Sequence, residues 1–216
     1  MQQGKYILVE GLDGAGKTVA IESIKEKLTE LGIEHIVVQE PGSTALGAQL
    51  RQIVKHSDYP IDPVAETMLF AAARRQLWKE TVEPALLKGI SVISDRGLFT
   101  SYAYQGGARG CFEQVLDLAA ITFDRAGCIY DLTIYLDITP ELGLERSSKR
   151  SKLDRIESEG NPFFETAHDY YDDLWENTAI ACYTRSVVRI DASRSKERVR
   201  EDCLQAVTEF LSTTGD

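Results

Sequence analysis

The chain has 216 residues, 43% of them apolar and 27% charged, with no run near the roughly 18 consecutive apolar residues a membrane span needs. Its length gives room for one domain with a sizeable core. The formal charge of −10 argues against a general nucleic-acid binder, whose footprint is basic, but leaves room for a small anionic substrate in a cleft where arginines gather. Met1-Gln2-Gln3-Gly4-Lys5 runs straight into a strand pattern without signal-peptide architecture, which predicts a cytoplasmic protein. Cys111, Cys128, Cys182 and Cys203 show none of the short paired spacings of zinc or redox motifs and read as reduced, mostly buried thiols.

In chain order, the apolar run at 6–9 reads as a buried strand. Ile21, Ile24, Leu28 and Leu31 recur at helical spacing, with Gly32 as a stop. A second strand at 33–38 ends at Pro41-Gly42, and helical patterns follow at 44–57 and 63–88. The third strand is 90–94. A helix at 111–127 leads to the fourth strand, 132–136, after which Pro140 opens another helix. The fifth strand, 186–190, precedes an amphipathic helix at 195–211. Short apolar strands alternating with helices predict an α/β fold: a five-stranded parallel sheet covered by helices on both faces. The one compositional break, "SSKRSKLDRIESEG" at 147–160, is a polar insert flanked by helices and reads as a mobile lid. No repeat or linker divides the chain, so residues 1–216 read as a single domain.

The stretch "GLDGAGKT" at 11–18 matches G-x-x-x-x-G-K-[ST] after a strand and before a helix. Backbone N–H groups of Gly11, Leu12, Asp13, Gly14, Ala15 and Gly16 can close around phosphate oxygens, and the helix N-terminus adds positive potential. Lys17 can reach the β- and γ-oxygens, and the Thr18 hydroxyl can ligate Mg²⁺. The loop signals a nucleoside triphosphate but not its use. GTPase-like signatures exist at Asp124-Arg-Ala-Gly127 and Ser151-Lys-Leu-Asp154, but the first follows a helical pattern and the second has no strand before it.

A second anion site has its own signals. Asp95-Arg96 follows the third strand, at the end of the sheet where open α/β folds bind ligands. The pair reads either as a strand-end ion pair, or as a carboxylate holding magnesium through water beside an arginine aimed at the transferring phosphoryl group. Phe70 and Arg74, four apart, share a helix face that suits a nucleobase, although Phe70 with Leu69, Ala73 and Leu77 also reads as core. Arg51 reads as a solvated charge or a phosphate contact. Tyr104-Gln105 offers a phenol and an amide before a flexible glycine turn. Arg146, Lys149, Arg150, Lys152 and Arg155 are either a solvated face or a basic segment that closes over triphosphate.

Together, "EGLDGAGKT", "EPGST", "FAAAR", "DR…TSYAYQGGARG", "DLTIYLDITPELGLER" and "LDRIE" resemble, in order and over nearly the whole chain, the bacterial thymidylate kinases. The resemblance implies a P-loop kinase fold and ATP-dependent phosphorylation of dTMP to dTDP with Mg²⁺, toward dTTP synthesis, usually by a homodimer and with neither nucleic acid nor membrane as partner. By matching position it implies that Asp13 takes the nucleotide 3′-hydroxyl and that Glu40 lies near the acceptor and the magnesium. Arg51 and Arg96 would hold the acceptor phosphate, Phe70 would stack on thymine and Arg74 would bond its carbonyl edge. Ser101, Tyr104 and Gln105 would wall the base and sugar pocket, and Arg146 would lie at the ATP site. Arg150 matches the lid position that supplies positive charge in members without a loop arginine, because Gly14 stands where the other subgroup carries one. Two departures stand out: Gln39 and Ser43 replace an arginine and a glycine of the usual "REPGGT", and Gly97 follows Arg96 where an aromatic residue or histidine is usual. Other kinases of this fold, using dUMP, dCMP or a nucleoside, and an accessory nucleotide-binding protein are the competing readings. If Arg150 supplies charge in the transition state, Arg150→Ala lowers kcat by on the order of 10²- to 10³-fold in a steady-state transfer assay.

Overall fold

The computed structural model describes residues 3–125, 127–149 and 153–213. Five strands, β1 (Tyr6–Glu10), β2 (His35–Gln39), β3 (Ser91–Asp95), β4 (Leu132–Asp137) and β5 (Val187–Asp191), form one sheet in the order β2-β3-β1-β4-β5. Every neighbouring pair is parallel. All five residues of β1 are buried, and successive side chains of a strand point to opposite faces, so both faces of the sheet are covered. The edge strands β2 and β5 are only partly buried. Fold class, strand number and parallel arrangement are as the sequence predicts.

The covering helices begin where the local chemistry permits. Helix α1 (Lys17–Glu30) starts directly after Gly16, whose left-handed backbone turns the loop into the helix. Thr44 caps α2 (Ala45–His56), its hydroxyl accepting from Gly47 N–H at 2.9 Å. Asp62 caps α3 (Pro63–Leu77) through the N–H groups of Val64 and Ala65, with Pro63 at the first position. The helix expected over 63–88 is continuous in direction but not in hydrogen bonding. It loosens into a wider turn at Trp78–Val82 before α4 (Glu83–Leu87), because Pro84 has no N–H to return to the preceding turn.

Between β3 and the next long helix the chain departs from the sequence reading. The stretch expected to run into a flexible turn is helical: α5 (Leu98–Ser101) continues into a wide turn at Tyr102–Ala108. Leu98, Phe99, Tyr102 and Ala103, at helical spacing, are all buried there. Helix α6 (Phe112–Thr122) stops short of 127, since Asp124 and Arg125 adopt left-handed backbone. Asp124, the aspartate of the first GTPase-like signature, pairs with Arg75 and Lys79 just after the end of α6.

Helices α7 (Pro140–Ser148) and α8 (Asn161–Asp172) flank the polar insert; α9 (Thr178–Ala181) and α10 (Lys196–Thr213) complete the chain. The described part of the insert is docked. Asp154 pairs with Lys55 at 2.5 Å, Arg155 N–H donates to the Lys55 carbonyl, and Arg155 Nε to the Val54 carbonyl. Helix α1 packs on α10, α3 on α2 and α6, and α8 on the Tyr102–Ala108 turn. Along the sheet the chain passes from β1 to β2 and returns to β3. It then crosses β1 to reach β4, so its connections diverge at the carboxyl end of β1, where open α/β sheets place their ligands.

Candidate active site

A cleft of about 300 Å³ opens there. It is lined by the loop residues Asp13, Gly14, Gly16, Lys17 and Thr18, together with Glu40, Arg51, Phe70, Arg74, Asp95, Arg96, Ser101, Tyr104 and Gln105. Most of the residues singled out by the sequence therefore converge. Gly11, Leu12 and Ala15 do not line the cleft, and the Leu12 and Ala15 side chains are buried, so these positions offer it backbone alone. Arg146 turns away, donating to the carbonyls of Ala192 at 2.7 Å and Ser193 at 3.2 Å in the turn after β5. Arg150 lies outside the described residues. Of the other insert cations, Lys149 pairs with Glu145, and Arg155 with Glu66 rather than with anything near the loop.

The loop's path depends on two glycines in contact. A Cβ on Gly14 would meet the Gly143 carbonyl oxygen at 2.2 Å, and one on Gly143 would meet the Asp13 carbonyl oxygen at 2.6 Å. Helix α7 thus lies backbone to backbone against the loop, and any side chain at Gly14 would have to displace it. Lys17 Nζ donates to the carbonyls of Gly11 and Leu12, both at 2.9 Å, which holds the ammonium over the loop. Burial, and then the nearby Arg96 guanidinium, lower the Lys17 pKa from 10.5 to about 8.

Arg96 sits at φ 69, a left-handed conformation that bulky residues rarely adopt. Its guanidinium donates to Asp13 Oδ1 at 2.7 Å, the Gly11 carbonyl at 3.1 Å and Thr100 Oγ1 at 3.2 Å, and lies 5.5 Å from the centre of the Tyr104 ring. Burial acts to raise the Asp13 carboxyl, but Arg96 and Lys17 override it and hold it below the usual carboxylate range. Burial likewise acts to lower Arg96, and Asp13 together with Tyr104, Tyr171 and Asp95 outweighs it, keeping the guanidinium charged. The strained turn is anchored by Glu10, a wholly buried carboxylate absent from the sequence reading. It accepts from Gly97 N–H at 2.9 Å, Thr100 N–H at 3.0 Å, the Thr100 hydroxyl at 2.5 Å and the Tyr171 hydroxyl at 2.8 Å.

Arg74 is buried, its Nε donating to Glu40 Oε2 at 2.7 Å and its Nη2 to the Gly97 carbonyl at 3.0 Å and Ser101 Oγ at 2.7 Å. Breaking such a buried pair from one side costs about 3–5 kcal/mol. Burial raises the Glu40 carboxyl more than Arg74 lowers it. Phe70 is both core and cleft wall, 9% exposed, so its two sequence readings merge. Arg51 bonds the Pro41 carbonyl at 2.8 Å. Glu66 is a further residue the sequence reading missed. It accepts from Gln105 at 2.9 Å and from Arg109 and Arg155, and the spacing 66, 70, 74 on one helix face was the available signal.

The departures from the family pattern have local partners. Gln39 Nε2 donates to Asp95 Oδ2 at 3.1 Å, and Ser43 Oγ accepts from Gln39 N–H at 2.6 Å. At Gly97 a Cβ would lie 2.7 Å from the Tyr130 hydroxyl, which itself accepts from Leu98 N–H. The tyrosine takes the space a side chain would need. Asp95 Oδ1 is buried without a hydrogen-bond partner, and Thr18, which is exposed, lines the same cleft. These hard oxygen donors fit a magnesium ion, which takes oxygen ligands and keeps several waters.

Two outcomes follow for ligand binding. Charge on Lys17 is retained below its pKa of about 8 and lost above it. Nucleoside triphosphate affinity, measured by calorimetry, therefore falls by about tenfold per pH unit on the alkaline side; a flat profile there would mean the ammonium stays charged. Gly143→Ala forces α7 and the loop apart, an overpacking cost of about 1–3 kcal/mol that appears as about tenfold weaker triphosphate binding.

The comparisons with known proteins agree with this geometry. The family model described as thymidylate kinase matches residues 9–203. The chain is 40% identical over 217 residues to a thymidylate kinase of Colwellia psychrerythraea, covering 99% of each chain. It is 40% identical over 210 residues to one of Legionella pneumophila, covering 96% of each. A thymidylate kinase of Photobacterium profundum is 41% identical over 210 residues, covering 96% of this chain and 97% of that one. With a phosphate loop, a paired arginine and an aromatic pocket meeting in one cleft, and such similarity over nearly its full length, the chain belongs to the thymidylate kinase family.

Proposed function

We propose that the protein transfers the γ-phosphoryl group of ATP to dTMP, giving dTDP for dTTP synthesis, by direct in-line displacement. The observation that carries this reading is that Lys17 and Arg96, which both donate to the Gly11 carbonyl, line with Thr18 the same cleft as Phe70, Arg74 and Gln105. Two polyanions can meet there with their phosphates beside Lys17 and Arg96. The names of the relatives support dTMP as acceptor.

The absence of a proton-abstracting constellation from the proposed mechanism follows from the acceptor. A phosphomonoester has a second pKa near 6, so at pH 7 its attacking oxygen is largely deprotonated. Transfer then needs alignment and neutralisation of charge. The loop amides and Lys17 hold the β- and γ-phosphates. Arg96 and Arg51 bind the acceptor phosphate, with Arg96 also facing the oxygens that carry developing charge. Asp13, held anionic, takes the 3′-hydroxyl; Phe70 stacks on the base, Arg74 bonds its carbonyl edge, and Ser101 and Tyr104 wall the sugar side. Thr18 and Asp95, with Glu40 on the acceptor side, would hold Mg²⁺, which on binding neutralises phosphate charge. Arg146 and Arg150 are assigned to the ATP side, with Arg150 supplying charge from a lid over about 147–160.

The partner proposed for the whole chain is a second copy. Leu46 and Ile53 on α2, Met68 on α3 and Ile121 on α6 are exposed by 36–61%, an apolar surface across helices that pack side by side. A cytoplasmic setting is proposed because the described helices include none long and apolar enough to cross a membrane, and because Cys111, Cys128, Cys182 and Cys203 are all free. The thiols are less hidden than expected: Cys111 and Cys203 are buried, while Cys128 and Cys182 are exposed.

The reading is tested by a coupled assay of ATP against dTMP, dUMP, dCMP, thymidine and 3′-deoxy-dTMP. The expected order places dTMP first and dUMP behind it by a moderate factor. Loss of the 3′-hydroxyl lowers kcat/KM by on the order of 10²-fold or more, because it removes the hydrogen bond that the Asp13 carboxylate accepts from it. ATP binding without acceptor-dependent ADP release would instead favour an accessory nucleotide-binding protein.

A further inference from the structure

Gln105 is 1% exposed and lines the cleft with Phe70 and Arg74. Its Nε2 donates to Glu66 Oε1 at 2.9 Å, while its Oε1 is buried with no hydrogen-bond partner. A primary amide presents a donor at one end and an acceptor at the other, and its orientation is set by what it meets. Here that neighbour is a carboxylate, which only accepts. Glu66, also 1% exposed, takes Arg109 Nε at 3.3 Å, Arg109 Nη2 at 3.4 Å and Arg155 Nη2 as its remaining partners, so every group around it is a donor. The amide must therefore turn its NH₂ to Glu66 and its carbonyl oxygen the other way.

Arg74 completes the pattern. Its Nε and Nη2 are committed to Glu40, Gly97 and Ser101, and since Arg74 lines the cleft, Nη1 is the donor it has left for a ligand. A pyrimidine lying on Phe70 thus meets a donor from Arg74 and an acceptor from Gln105. Thymine and uracil offer the complementary edge, a carbonyl at position 4 beside an N3–H. Cytosine offers the reverse, an amino group beside an unprotonated N3, and would place acceptor against acceptor and donor against donor.

We propose that Glu66 determines which pyrimidine is accepted. It does not touch the nucleotide: it fixes the Gln105 amide so that an acceptor faces N3, and in that way excludes cytosine. This rests on the reading that a pyrimidine monophosphate binds with its base against Phe70. Glu66 is a positioning residue, and its signature is a change in selectivity rather than a uniform loss of rate.

Glu66→Gln supplies a neutral partner that can donate to Gln105 Oε1 and so lets the amide reverse. The ratio of kcat/KM for dTMP to that for dCMP then falls by about tenfold or more, with the dCMP value rising in absolute terms. In a Gln105→Leu background the same substitution leaves the ratio unchanged, since the amide through which Glu66 acts is gone. A measurement on the unaltered protein is independent of whether the variants fold. The 3-deaza analogue of dUMP, with C–H in place of N3–H, binds about tenfold or more weaker than dUMP. An unchanged ratio in folded Glu66→Gln, an equal effect of that change with and without Gln105, or equal binding of dUMP and its 3-deaza analogue would each overturn the proposal. Turnover of dTMP by the unaltered protein reports separately on the underlying reading; if it is absent, both fall.

Discussion

Arg96 combines a backbone angle of φ 69 with a guanidinium that touches Asp13, Thr100 and the Gly11 carbonyl, and the rest of the cleft is arranged around keeping it there. A bulky residue in the left-handed region costs roughly 1–3 kcal/mol. The cost is offset by Glu10, whose carboxylate collects the N–H groups of Gly97 and Thr100 and the hydroxyls of Thr100 and Tyr171. Glu10 is the last residue of the central strand, Gly97 and Thr100 follow the neighbouring strand, and Tyr171 comes from α8. One buried carboxylate therefore joins the loop strand, the arginine turn and the helix beyond the polar insert. Movement in any of these would be felt at the guanidinium.

The same logic recurs across the site. Cations drawn out of water gain from a carboxylate in contact, and four arginines at or beside the cleft, one buried and three half-buried, have one: Glu40 for Arg74, Asp13 for Arg96, Glu66 for Arg109 and Arg155. This reconciles a net charge of −10 with a cleft built for phosphates. The charge of the whole chain sets the distant field, whereas the paired arginines and loop amides set the field where an anion would sit. Much of the acidic excess lies on exposed helix faces, as with Glu22, Glu30 and Glu201 in short-range ion pairs that contribute little to stability.

The family departures are absorbed locally. Gln39 gives up a cation but directs its amide to one oxygen of Asp95, leaving the other without a hydrogen-bond partner in a residue that lines the cleft. Ser43 returns a hydrogen bond to the Gln39 backbone, and Gly97 makes room for Tyr130. None of these changes removes a member of the proposed phosphate-binding set.

The sequence by itself determined the parallel α/β fold, because uninterrupted apolar runs such as 6–9 demand burial on both faces, and it marked the phosphate loop, because closure around an anion needs glycines at fixed spacing. It also marked Phe70, Arg74, Asp95 and Arg96, since each lies at a strand end or on one helix face that local periodicity reveals. Tertiary structure alone decided the parts that depend on contacts across long stretches of chain. Glu10 and Tyr171 meet over 161 positions, Glu66 and Arg155 over 89, and Gly143 reaches the loop only because α7 folds back on it. A lone acidic residue inside a strand or helix pattern carries no local sign of its partners, and a glycine required by the backbone of a distant helix resembles any other. The helical course of 98–108 was hidden for a related reason: two glycines signal a turn, but burial of Leu98, Phe99, Tyr102 and Ala103 outweighs that preference once the sheet and α8 are in place.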